Sequence, residues 1–201
     1  MRTTAVALLL AATLSLTACS GGGDGSSSAG KSPVTPTSPA PPSSPSADAP
    51  LGKGAETVGS GGTGRLAVTP TSAVYAAKAI IDKPSRGLFV VVTVKDRAVT
   101  AVAAAETAPI ERGGWQWIAP DGQTVTTVDG NASNVALDGF NHHGPVQPGA
   151  FTWRTEAFDI SEAQRGGTLV YTDGLGTAYR WKIPAQDAGP QVDEVKRLLA
   201  G

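Results

Sequence analysis

The sequence predicts an all-β fold: an antiparallel β-sandwich with a short C-terminal helix, preceded by a disordered linker. Three observations carry that expectation. Residues 88–94 are dense in β-branched side chains. Asp-Gly pairs recur at Asp121-Gly122, Asp129-Gly130 and Asp138-Gly139, and Pro148-Gly149 adds a further turn. Residues 168–183 form two alternating arms about Asp173-Gly174-Leu175-Gly176. Short strands separated by such turns fit a sandwich better than a parallel α/β sheet.

The elements follow in chain order. Arg2 precedes a stretch, residues 5–16, built only of Ala, Val, Leu, Thr and Ser. That is short for a membrane-spanning helix and suits the apolar core of a secretory signal. Leu16-Thr17-Ala18-Cys19 follows directly. This tetrad resembles the lipobox of bacterial lipoproteins. The resemblance implies cleavage between Ala18 and Cys19, lipid on the Cys19 thiol, and a domain held at the outer face of the cell membrane. The chain has a single cysteine, so an exported form has no intramolecular disulfide to make with it.

Residues 20–63 hold 10 glycines, 10 serines and 7 prolines, and no aromatic residue. Such a composition buries too little apolar surface to offset chain entropy, so a disordered tether is expected. Its 44 residues span roughly 35–40 Å as a coil, and more where Thr35–Pro42 leans to polyproline II. The division expected is a signal over 1–18, lipidated cysteine and tether over 19–63, a sandwich over 64–186 and a helix over 187–201.

Within the sandwich, Pro70 demotes residues 66–76 to an edge strand or one broken in its middle. Residues 88–94 place Leu88, Val90, Val92 and Val94 on one face, as in a central strand. The Ala-rich residues 101–108 are compatible with a short helical turn. In the last arm, Tyr179, Trp181 and Ile183 alternate with Ala178, Arg180 and Lys182, which predicts one buried and one wet face. Val192, Val195, Leu198 and Leu199 recur at helical spacing behind Pro190.

Phe89-Val90-Val91-Val92-Thr93-Val94-Lys95 and Trp117-Ile118-Ala119-Pro120-Asp121-Gly122 resemble the telokin-like, immunoglobulin-like domain of bacterial lipoproteins. Gln147-Pro148-Gly149, Ala157-Phe158-Asp159-Ile160 and Gly167-Thr168-Leu169-Val170-Tyr171 fit the same order, with Asp96 where that family usually has asparagine. The resemblance covers roughly residues 65–185. It implies an immunoglobulin-like, extracytoplasmic sandwich without known catalysis, and it carries over no active-site residue. Abundant Ala, Gly, Pro and Thr with few Lys also suit a high-GC actinobacterial source.

Sixteen basic residues face 17 acidic ones, so the charge balance of −1 offers no case for a nucleic-acid partner. Nucleophile elbows, phosphate loops and dinucleotide fingerprints do not occur, and neither an enzyme nor a cofactor is expected. His142, His143 and Asp138 form a loose candidate metal group, although adjacent strand side chains point to opposite faces and no metal-binding spacing is present. The Asp-Gly carboxylates are explained by turns. Trp115 and Trp117 are two residues apart and share one face of an extended chain, and Phe151 and Trp153 repeat that spacing. Such rings either fill a core or stack on sugars, with Gln116, Gln123 or Asn141 near enough in sequence to supply hydrogen bonds. The functional expectation is therefore a non-enzymatic, lipid-anchored binding module of the bacterial envelope, partnered by an envelope protein. The alternative is a glycan- or peptidoglycan-binding sandwich using Trp115 and Trp117, and a metal-binding accessory lipoprotein is a third.

Overall fold

A computed structural model describes residues 47–108 and 113–201. The expected signal segment, with Ala18, Cys19 and the first part of the expected tether, lies outside the described residues. Among the described residues, nine strands form two sheets. One sheet has the order β1-β9-β8-β5-β6, from Ala49–Pro50, Ala178–Lys182, Thr168–Thr172, Gly114–Ile118 and Thr124–Thr126. The other has the order β2-β3-β4-β7, from Ala55–Val58, Arg65–Ala76, Leu88–Ala98 and Phe151–Ile160. All pairings are antiparallel except β1 with β9, which run parallel. Helix α1 (Val192–Ala200) follows. The all-β sandwich with its C-terminal helix is as the sequence predicts. No helix among the described residues is long and apolar enough to cross a membrane.

The folded region starts earlier than the composition suggests. Strands β1 and β2 lie within residues 49–58, so the boundary at residue 64 is corrected to about residue 48. The reason is that few apolar side chains are needed when backbone and one carboxylate supply the cohesion. Asp173 is buried, accepts from the N–H groups of Val58, Leu175 and Thr177 at 2.9–3.0 Å, and receives the Tyr179 hydroxyl. A turn carboxylate thus ties β2 to the β8–β9 hairpin, where Gly176 takes the left-handed backbone at φ 81°.

Strand β4 is central, as expected, between β3 and β7. Pro70 neither ends β3 nor confines it to an edge throughout. The register shifts between Pro70 and Ser72, which absorbs the residue lacking an N–H and reverses the parity of the strand. Leu66 and Val68 point inward before the bulge, Ala73 and Tyr75 after it. Beyond the bulge, β2 no longer pairs with β3, and Ala188 takes its place by exchanging two hydrogen bonds with Ala73.

Two cores result. The first lies between the sheets and contains Val90, Val92, Val94, Phe158 and Ile160 against Trp115, Trp117, Leu169, Tyr171 and Trp181. Each such aliphatic side chain contributes about 1.5–3 kcal/mol by leaving water. The second covers half of the outer face of β3-β4-β7, where Val195 and Leu199 of α1 pack with Val74, Phe89, Val91, Leu137 and Phe140. The helix therefore packs on its own sandwich, and Gln191 secures its start by hydrogen bonds with the Ser72 hydroxyl. Residues 101–108 form no helical turn. Ala104 instead bridges Val146 through mutual hydrogen bonds of 2.8 and 3.1 Å, making this segment a strap across the end of the sandwich.

Candidate functional site

Trp115 and Trp117 do share one face, and that face is the interior. They are 3% and 0% exposed. Trp115 stacks at 4.8 Å on Tyr171 and 5.8 Å from Trp181, while its Nε1 donates to Glu106 Oε2 at 2.9 Å. Trp117 lies 6.1 Å from Phe158 and donates to the Gln164 carbonyl. The expected sugar-stacking role of this pair is corrected: both rings are core, because β5 is flanked by β6 and β8 and faces the opposite sheet. Gln116 and Gln123 consequently have no exposed ring of β5 beside them.

The exposed pair is on β7. In its register with β4, Phe158 and Ile160 face inward, so Phe151 and Trp153, at odd positions, face outward. The second core covers only the far half of this outer face. Phe151 is 54% exposed, Trp153 is half-buried, and their rings meet edge to face at 6.5 Å. Lys95, opposite Trp153 on β4, carries its Nζ 4.3 Å from the Phe151 centroid and 5.7 Å from that of Trp153. Phe140 supports Trp153 from below at 5.9 Å, and the His142 N–H donates to the Trp153 carbonyl. The result is a rigid aromatic strip with a cation on it.

Beside this strip, the free edge of β7 borders a cavity of about 290 Å³. Thr127, Ser133, Asn141, His143, Thr155 and Glu156 supply its polar groups. The Thr155 hydroxyl oxygen is buried without a hydrogen-bond partner. Burial raises the Glu156 carboxyl to about 8, with the Asp96 charge adding to it and Arg154 opposing it. At neutral pH Glu156 therefore presents a neutral carboxyl to this cavity. His142 and Asp138 line a separate hollow with Asn141. The structure thus parts His143 from His142 and Asp138, and all three are exposed. No cluster of His, Cys, Asp or Glu able to hold a metal ion occurs among the described residues.

Sequence reasoning missed a buried group of charges between the sheets. Asp96 of β4, Glu106 of the strap, and Arg154 and Glu156 of β7 converge behind Trp115. One signal was present. Asp96 continues the parity of Leu88, Val90, Val92 and Val94, so a charge stands where the pattern calls for an apolar residue. Asp159 has a different task. Burial raises its carboxyl, but hydrogen bonds from Asn131, Ser85 and Arg86 outweigh that and hold it below the usual range. It joins two loops. No protein family, curated protein or solved structure matches this chain.

Proposed function

We propose that this chain is a lipid-anchored, non-enzymatic binding module of the bacterial envelope, held outside the cell membrane through Cys19 and built on an immunoglobulin-like, telokin-like sandwich. The lipobox resemblance at Leu16-Thr17-Ala18-Cys19 supports the anchor. The strand and turn pattern of residues 65–185 supports the domain type.

The contact surface is the bare half of the β3-β4-β7 face. The observation that carries this reading is the exposed Phe151 ring, braced edge to face by Trp153 with Lys95 over it. Aromatic faces bind the C–H faces of sugar rings, and an adjacent ammonium favours sugars bearing carboxylate or phosphate. The ligand class that suits the site is accordingly an anionic cell-wall glycan, with the Asn141, Thr155 and Glu156 cavity receiving a neighbouring hydroxyl or amide.

The test is cosedimentation of residues 20–201 with purified cell wall. Saturable pelleting that Phe151→Ala reduces at least tenfold in affinity, with an unchanged circular dichroism spectrum, supports the glycan reading. Equal pelleting by both chains refutes this surface. Absence of pelleting directs the same surface to a protein partner. The anchor is tested separately: labelled palmitate is expected on the full-length chain and not on its Cys19→Ser variant.

A further inference from the structure

Three carboxyl groups and one guanidinium lie behind Trp115. The Arg154 Nε donates to Asp96 Oδ2 at 2.7 Å and sits 3.9 Å from Glu106 Oε2, while its Nη2 donates to the Gly144 carbonyl at 2.8 Å. The Trp115 N–H donates to Glu106 Oε2. One oxygen of each acid is thereby satisfied. The other two, Asp96 Oδ1 and Glu106 Oε1, are buried and without a partner. Asp96 is fully buried, the Glu106 side chain is 8% exposed, and the two carboxyls flank the same Arg154 Nε, at 2.7 and 3.9 Å.

Two buried carboxylates so placed repel, and leaving two acceptors bare has a large desolvation cost. A single proton turns the pair into donor and acceptor and removes the repulsion between them. It also brings the charge of the group closer to what one guanidinium balances. We propose that Asp96 and Glu106 share one proton, and that this O–H···O bond latches the strap of residues 101–108 across the end of the sandwich, opening as the pH rises. The strap's other ties include the Ala104–Val146 bridge, the Ser60 N–H donating to the Ala105 carbonyl, and the Thr107 N–H donating to the Tyr171 hydroxyl.

The groups facing this pair agree with the sign. From β7 come Arg154, which favours ionisation, and Glu156, which opposes it. From β8 comes the Tyr171 phenol, raised by its own burial and by the charges of Glu106 and Asp96, and so neutral throughout. From β5 comes only the Trp115 N–H. Burial is the main reason that both Asp96 and Glu106 hold their protons above the usual carboxylate range. Proton-dependent stability is then complete below that range and lost as pH rises through the folded value.

Glu156 also binds a proton, so the test is made in a Glu156→Gln chain spanning residues 20–201. Infrared spectroscopy at pH 6 is expected to show the carbonyl stretch of a buried protonated acid, removed by adding Glu106→Gln. Amide exchange in residues 101–108, corrected for its intrinsic pH dependence, is expected to accelerate at least tenfold between pH 6 and 9, and to stay level with Glu106→Gln. Should Glu106→Gln fail to fold, Asp96→Asn provides the same subtraction. Absence of the band in the Glu156→Gln chain, or its survival in the added variant, overturns the shared proton. A band without the change in exchange overturns the latch.

Discussion

Strands β5 and β7 each carry two large rings two residues apart, and the fold treats them oppositely. Trp115 and Trp117 are packed against Tyr171, Trp181 and Phe158, whereas Phe151 and Trp153 stand on an outer face with Lys95. Spacing tells which rings share a face. It does not tell which face another layer will cover. For β7 the answer was nonetheless within reach. Trp153 and Phe158 are separated by an odd number of positions, so in an unbulged strand they point apart, and only one of them can join the core between the sheets.

The sharpest way to break this comparison is Trp117→Ala. Its ring is fully buried and its N–H is bonded, so the change is expected to cost about 3–5 kcal/mol in urea unfolding. If Trp117→Ala instead leaves stability intact, the two strands do not differ as described.

A smaller effect tests the polar groups behind the rings. Glu156 binds a proton in the fold up to about pH 8, while an unfolded glutamate releases it near 4.5. Stability is therefore expected to fall as pH rises between these values, and Glu156→Gln to flatten that fall. Because Glu156 is only half-buried, the gain at pH 8 is about 1–2 kcal/mol, read from denaturation midpoints across the pH range.

Trp153→Ala is expected to cost about 1–2 kcal/mol, since the ring is only half-buried against Phe140. In the unmodified chain, acrylamide should quench Trp153 well ahead of Trp115, Trp117 and Trp181. Phe151→Ala is expected to shift stability by no more than about 0.5 kcal/mol, and that near-neutral result is what makes it a clean probe of binding.

What could be read from the sequence followed the strength of local patterns. The β8–β9 hairpin, the central position of β4 and the amphipathic α1 were legible because alternation, β-branching and helical spacing each act locally. The start of the fold was not, because β1 is held by Trp181 and Arg180, over a hundred residues away, and β2, although it pairs with the nearby β3, is clamped by the equally distant Asp173. The parity reversal at Pro70–Ser72 was only half legible: proline marked a disturbance without saying that the strand continues beyond it. The site was least legible. Asp96 alone broke an apolar parity, and only the placement of both sheets brings Arg154, Glu106 and Glu156 to it.

Strand β1 has a mechanical consequence. It is two residues long, and beside it the Asp48 carboxylate accepts from both the Thr168 hydroxyl and the Arg180 Nε, while the Trp181 N–H donates to the Lys53 carbonyl. Among the described residues, tension entering from the N-terminal side meets the side-chain ties of Asp48 first, and from there it spreads into β8 and β9. Short parallel pairing gives little resistance by itself, so the ion pair at Asp48 sets the first rupture. Beyond β1 stand the Trp181–Lys53 bond, the Gly52 N–H on the Pro70 carbonyl and the β2–β3 ladder, with the Asp173 clamp at Val58 behind them. The domain can thus yield a few residues of slack under load while both cores stay closed.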